Sequence, residues 1–419
     1  MSSATSLTAK STATKLAEGV STAALFLMPA CMVSVKSGSS YAAALLLISG
    51  LVLLLATRRF HLPQSAWLLY LSFVPIALVW MLDDYVSGSG ASSFDKPSKI
   101  FASVLALYFV ARYPSKLKWL WWGLGVGAVI AAAQATYHIF VLHMYRAHDG
   151  SAFAIVFGDL CLLLGVALLT AWQLPQRRTT LVHIIVIGVL ASLWLYASML
   201  SGTRGAWLGL GVIISAYLLY CLFSKRFKTL GIVAILSVTM GTFAWNIPAL
   251  KVQARINDAQ HEVQAFKTEG QAATSVGARL QMWQHAWDLF EQKPLLGWTS
   301  QGYLNAKKQG IEEKRLDPYL SELNHPHNEV LNALSKTGLV GLSALLLAYI
   351  GPFLVFANIF RGNQRPDVRA VASIGMLLPI AYFGFGLTET FMPHNPVITA
   401  YVYWSYILWG WCYHQRAPH

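Results

Sequence analysis

The sequence is poor in charge: Asp, Glu, Lys and Arg make up only 12% of its 419 residues, and just 18 are acidic. A soluble domain carries about 25% charged and roughly 45–50% apolar residues, whereas 56% of this chain is hydrophobic. The mean hydropathy of +0.50 points the same way. Cysteine is scarce too. Cys31, Cys161, Cys221 and Cys412 all fall inside apolar runs, without disulfide or zinc spacing, and read as small hydrophobes. There is no visible repeat, and low complexity is confined to a small tract at Ser87–Ser93. Lys10 and Lys15 precede the first apolar run without an obvious cleavage site, so an uncleaved first helix is expected rather than a signal peptide.

What the chain does have is a succession of apolar runs near the 20 or so residues that a helix needs to cross a bilayer. Amphipathic stripes, the mark of soluble helical domains, are largely missing from them. The expected fold is an all-α integral membrane protein with about twelve transmembrane helices. The predicted spans are 19–35, 41–57, 66–82, 99–113, 119–139, 152–173, 180–199, 205–223, 229–246, 339–359, 369–388 and 396–413. The fourth is the shortest, and losing it would invert everything after it.

The net charge of +13 is spread in short basic clusters between the apolar runs. That is how membrane topology is encoded, so membrane lipids rather than nucleic acid are the expected surroundings. With a cytoplasmic N-terminus and twelve spans, the even-numbered connections hold Arg58 and Arg59, then Arg112, Lys116 and Lys118, then Arg177 and Arg178, then Lys225, Arg226 and Lys228, and finally Arg361, Arg365 and Arg369. With Lys10, Lys15 and Arg416 the cytoplasmic total is sixteen, against five (Lys36, Lys96, Lys99, Arg146 and Arg204) in the short outer connections. Both termini are then cytoplasmic.

Three parts are expected: helices 1–9 over residues 1–246, an outer loop over 247–326, and an interfacial helix with helices 10–12 over 327–419. The loop balances nine basic against nine acidic residues and holds two helical patterns, Val252–Phe266 and Ser275–Lys293. In the second, Leu280, Trp283, Trp287 and Phe290 recur at helical spacing, and Lys293-Pro294 ends the run. A loop this long with structure of its own points to function.

Three features on the outer side could carry chemistry. Arg204, in the turn Ser201-Gly202-Thr203-Arg204-Gly205, reads either as a snorkelling anchor or, with glycines at its sides, as a phosphate ligand. Arg279 heads the aromatic helix. A cation–π contact with Trp283 one turn on and a clamp on an anionic headgroup are equally compatible with the spacing. His325-Pro326-His327-Asn328 opens the helix leading into span ten. Pro326 suits the first helical position, which puts His327 in the first turn, where the positive helix end disfavours imidazolium and suits it to act as a base. The alternative is an interfacial helix cap. Metal chemistry is not expected: the carboxylates of Asp83-Asp84 and of Glu312-Glu313 point to different sides of a helix, and no histidine is spaced to join them. Asp159 is a buried carboxylate within a span, open to a functional or a structural reading. Glu389 and His394 flank the last outer turn and could line a cleft.

His327-Asn328, nine residues, then Gly338-Leu339-Val340-Gly341 resembles the H-N-x9-G-x-x-G signature of the O-antigen ligase and polymerase superfamily, which membrane protein O-oligosaccharyltransferases share. Ser201 to Trp207, and the run from Arg279 through Trp283 to Pro294 and Gly297, resemble its other blocks. Gly297-Trp298-Thr299 departs from the many members that have a second glycine after one intervening residue. The resemblance implies a GT-C-type glycosyltransferase without cofactor or metal, acting at the periplasmic face of a Gram-negative inner membrane. Its donor would be undecaprenyl-diphosphate-linked O-antigen and its acceptor lipid A–core oligosaccharide, with inversion at the anomeric centre. His327 then becomes the base, Arg204 and Arg279 the diphosphate ligands, and His325, Asn328, Trp283, Gly338, Gly341 and Glu389 supporting residues.

An O-antigen polymerase usually divides its outer sequence between two sizeable loops, and a protein O-oligosaccharyltransferase often carries a longer outer domain after the last spans. One dominant loop and a chain stopping at His419 favour the ligase. A lipid or solute transporter predicts paired half-repeats with ionisable residues near the midplane, and spans divided nine and three do not resemble that.

Overall fold

The computed structural model describes residues 2–148, 153–174, 181–246, 252–270 and 272–415. Among these residues every regular element is helical. The helices are α1 (Ser2–Cys31), α2 (Ser39–Thr57), α3 (Gln64–Leu71), α4 (Val74–Val86), α5 (Asp95–Arg112), α6 (Lys118–Thr136), α7 (Ala154–Leu169), α8 (Leu181–Leu200), α9 (Arg204–Phe223) and α10 (Phe227–Asn246). The intervening loop supplies α11 (Val252–Glu269), α12 (Ser275–Gln292) and α13 (Thr299–Glu312), and the chain finishes with α14 (Glu329–Arg361), α15 (Pro366–Gly386) and α16 (Asn395–His414). Arg177, Arg178 and Arg416, used above for topology, lie outside the described residues.

Among the described residues, eight helical stretches are long and apolar enough to cross a membrane, α3 and α4 counting together. The chain is a multi-pass membrane protein. Three of the predicted spans take a different form from the one expected. The third is broken at Ser72–Phe73, where Pro75 enters at the start of α4 and cannot supply a backbone N–H. The fourth, α5, begins at Asp95 rather than 99; its 18 residues span about 27 Å. The tenth is fused to the helix before it, so that α14 runs for 33 residues with a kink at Gly338.

The last helix forms the centre. Every residue from Val397 to Cys412 is buried, including Tyr401, Trp404, Tyr406 and Trp409, as befits a helix apolar all round. It packs against α2, α5 and α15, while α15 also lies along α14 and α9. Beside this bundle, α12, α13 and the loop before α14 enclose two small cores of their own. One holds Ala278, Met282, Leu316 and Leu320, the other Ala286, Leu289 and Tyr303.

The buried face of α12 is not the aromatic one. Gly277, Ala278, Met282, His285, Ala286 and Leu289 point inward, whereas Trp287 is 47% exposed and donates its indole N–H to Glu291 at 2.8 Å. Trp283 and Phe290 are only partly buried, and Gly277, Ala278 and Ala286 let the inward face approach its neighbours.

Candidate active site

The end of α12 and the kink of α14 are built against each other. Gly338 sits at φ 64°, ψ −157°, a combination open essentially to glycine alone. Its N-terminal neighbours can then leave the helical path while the backbone N–H groups of Leu339 and Val340 donate to the carbonyls of Pro294 (2.8 Å) and Leu295 (3.2 Å). A methyl group on Gly338 would strike the Leu295 carbonyl, and one on Gly297, also at positive φ, would strike the backbone of Lys336. Trp298 N–H closes the joint on the Ser335 carbonyl at 2.9 Å. One turn on, a side chain on Gly341 would collide with Thr337 of the same helix. The glycines of the motif thus lock α12 to α14.

His327 does not lie in the first turn of a helix. Asn328 is the N-cap of α14, accepting from Leu331 N–H at 3.0 Å, so His327 precedes the cap, with φ 49°. Capping by the asparagine side chain outcompetes the Pro326 start, because it satisfies an orphan amide that proline cannot. Asn328 also donates to the Leu387 carbonyl at 3.2 Å. The next residue, Glu329, accepts from the backbone N–H groups of Phe391 (2.6 Å) and Met392 (2.7 Å). Two consecutive side chains therefore fasten the start of α14 to the turn between α15 and α16. On the other side, Trp283 donates its indole N–H to the Pro326 carbonyl at 2.8 Å. Trp283 therefore holds the segment ahead of His327.

That turn carries Glu389, whose side chain is 5% exposed. His327 Nδ1 lies 2.9 Å from Glu389 Oε2. His325 Nε2 and His394 Nε2 stand 3.6 and 3.8 Å from Oε1. Burial opposes ionisation of Glu389, but hydrogen bonds from His327 and His394 and the electrostatic influence of His327 and His325 outweigh it and hold the carboxyl well below its ordinary range. An ionised carboxylate only accepts, so Nδ1 of a neutral His327 carries the proton and Nε2 keeps its lone pair. Burial pushes His325 down to about 4, and its Nδ1 is buried without a hydrogen-bond partner.

The arginines reach the same place from two other helices. Gly205 lets the start of α9 press on Thr388, next to Glu389, and Gly209 meets Phe385. Arg204, the first residue of α9, is exposed beside this contact. Its turn is braced from beneath: Arg146 Nε donates to the Ser201 carbonyl at 2.6 Å and Nη2 to Thr203 Oγ1 at 3.2 Å. Arg279 is half-buried in α12. Desolvation lowers its pKa, Glu389 raises it, Arg204 lowers it and Glu262 raises it. Arg279 thus lies within electrostatic reach of both the other arginine and the carboxylate, and it remains a cation at neutral pH.

A cavity of about 220 Å³ is lined by His325 together with Asp83, Lys96, Glu329, Lys336 and His394. Asp83 is committed to structure, accepting from Ser300 N–H (2.8 Å) and Oγ (2.6 Å) at the start of α13. Glu313 is exposed and paired with Arg315 at 2.6 Å. Asp159 is fully buried, and neither carboxylate oxygen has a hydrogen-bond partner. The ligand atoms of His325, His327 and Glu389 lie within 4.8 Å of one another and could hold a metal ion. This group was not foreseen from adjacent carboxylates in the sequence, because its carboxylate comes from the turn between α15 and α16, 62 residues from His327. Glu329 was not foreseen either. An acid directly after an asparagine N-cap, at the head of a long apolar helix, was the available signal.

Residues 187–346 match the family model described as O-antigen ligase. That stretch contains Arg204, Arg279, Trp283, His327, Asn328 and the paired glycines. Over this stretch the chain is similar to the O-antigen ligase family. An uncharacterized protein of Haemophilus influenzae is 24% identical over 367 residues, which cover 86% of this chain and 90% of that one. An O-antigen ligase of Salmonella typhimurium is 27% identical over 235 residues, covering 54% of this chain and 52% of the relative. An O-antigen ligase of Escherichia coli is 28% identical over 165 residues, 38% of each chain. The matches to these two ligases thus span about half of their length or less. Glu389 lies beyond the family match.

Proposed function

We propose that the protein is an O-antigen ligase that transfers O-antigen from undecaprenyl diphosphate to a sugar hydroxyl of lipid A–core. The observation that carries this reading is the carboxylate-held imidazole of His327, with Arg279 within electrostatic reach of that carboxylate and Arg204 at the head of the helix that packs beside it. Each part matches a need of the reaction. A diphosphate is already a good leaving group, so the donor needs charge stabilisation more than a general acid. Arg204 and Arg279 supply it through forked contacts to phosphate oxygens. The acceptor hydroxyl has a high pKa and needs a base. His327 Nε2 takes its proton as the oxygen attacks the anomeric carbon; the carbon–oxygen bond to the diphosphate breaks, and undecaprenyl diphosphate leaves with the electron pair. Attack opposite the leaving group inverts the anomeric centre. Glu389 fixes the tautomer and steadies the imidazolium that forms.

In this reading residues 1–246 and 327–419 form twelve crossings in a GT-C-type arrangement. Residues 247–326 cover the site on the periplasmic side of the inner membrane, and both termini are cytoplasmic. The apolar cleft takes the polyprenyl tail.

The test uses purified protein with undecaprenyl-diphosphate glycan, offered either lipid A–core or a second donor molecule as acceptor. Transfer to lipid A–core alone is expected. Extension of the second donor would make the protein a polymerase, and transfer to neither would remove the reading. The reaction proposed here is metal-independent, so transfer is expected to survive exhaustive chelation. Loss restored by a divalent ion would reassign His325, His327 and Glu389 as metal ligands.

A further inference from the structure

The three helices that bring Arg204, His327 and Glu389 together also share their opposite ends. α9 starts at Arg204 and ends at Phe223; α14 starts beside His327 and ends at Arg361; α15 begins at Pro366 and ends just before Glu389. Where those far ends meet there is a second cavity, of about 570 Å³, one full bundle length from the catalytic group. Its wall is apolar, with Ala216 and Phe223 of α9 facing Phe353 of α14, and Arg361 and Arg369 line its edge. Phe223 is 81% exposed, so the apolar wall continues onto the membrane-facing surface.

The charge here is one-sided. The turns from Phe223 to Lys228 and from Phe360 to Arg369 hold six Lys or Arg and a single acid, Asp367. That acid is already matched by Arg365 at 2.7 Å. Arg369 places its guanidinium 4.3 Å from the Phe360 ring centre, a contact that holds the cation in place without neutralising it. Arg361 is exposed. Basic residues on a cytoplasmic face need no ligand, since topology alone accounts for them. Topology does not account for a cavity between three helices with an apolar wall and two guanidinium groups at its edge. Basic pockets between transmembrane helices on this side suit anionic headgroups, and no acid is left over to receive a zwitterionic headgroup's cation.

We propose that this cavity is a binding site for an anionic phospholipid, with its phosphate on Arg361 and Arg369 and its acyl chains along Phe223 and Phe353. The lipid bridges the far ends of the helices whose near ends carry the reacting groups.

The probe is phosphatidylglycerol against phosphatidylcholine, added to the purified full chain in detergent, with the bound lipid counted by native mass spectrometry. Phosphatidylglycerol is expected to be retained roughly tenfold or more over phosphatidylcholine, given two arginines at the phosphate. Arg361→Gln, which removes an exposed charge without touching packing, should lower that preference several-fold. Ala216→Trp, which fills the apolar wall and leaves every charge in place, should lower occupancy of both lipids. Equal retention of the two lipids, or phosphatidylglycerol retention unchanged in both variants, would overturn the proposal. Displacement of the lipid by millimolar inorganic phosphate would also overturn it, by making this a free-anion site.

Discussion

At the residue scale, the account turns on a histidine whose second nitrogen is held by a carboxylate from another part of the chain. Glu389→Gln keeps the size of the side chain and replaces an acceptor with an amide, so the tautomer and the imidazolium lose their support. Transfer should fall by roughly 10- to 100-fold with normal membrane insertion, measured as lipid-linked glycan consumed per unit of purified protein; an unchanged rate would make Glu389 a bystander. Arg204→Lys and Arg279→Lys keep the charge and lose the fork. Each should slow transfer and raise the donor concentration needed, and a fully active lysine variant would remove forked diphosphate binding. His327, Arg204 and Arg279 were legible in the sequence because each sits in a local pattern of glycine, proline or aromatic residues. Glu389 was only faintly so: 62 residues separate it from His327, and no local spacing links two turns that meet in space. Glu329 was faint for the same reason: its place after the asparagine cap was visible, but its partners are the backbone of that distant turn.

At the scale of elements, the joint between α12 and α14 sets how the Arg279 helix stands relative to His327. Gly338→Ala forces a side chain into the Leu295 carbonyl and a disfavoured backbone conformation costing about 1–3 kcal/mol. The variant should show a lower thermal midpoint and impaired transfer; wild-type values for both would remove the joint from the account. The loop helices should also respond to acid. Burial, then Arg315 and Lys307, push His285 down to about 4, whereas an unfolded chain protonates it near 6.5. Between those values the unfolded state binds the extra proton, so stability falls as pH drops from neutrality to about 4 and levels off below it. His325 contributes with the same sign. Thermal unfolding of a His285→Gln variant should show a shallower pH dependence than wild type over that window; an unaltered slope would contradict the burial argument. Hydropathy and breakers marked most of the apolar helices, but not the break between α3 and α4, the continuation of α14 through Gly338 or the polar helix α13. The face of α12 was not readable either, because large aromatics dominate a periodic pattern while contact with neighbouring helices selects alanine and glycine.

At the scale of the molecule, the succession of apolar runs was enough to read a multi-pass membrane protein, because a bilayer imposes such runs on any helical chain that crosses it. What hydropathy could not supply is the convergence of α9, α12, α14 and the α15–α16 turn, which depends on contacts such as Gly205 against Thr388. That convergence brings His327, its carboxylate partner Glu389 and the helices bearing Arg204 and Arg279 to one end of the bundle. The most direct test compares wild type with His327→Ala in transfer of undecaprenyl-diphosphate-linked glycan to lipid A–core, using purified proteins matched for amount and thermal midpoint. A positioned base contributes typically 10²- to 10⁴-fold, so a loss of about that size is the predicted result. A His327→Ala protein transferring at the wild-type rate would contradict the account.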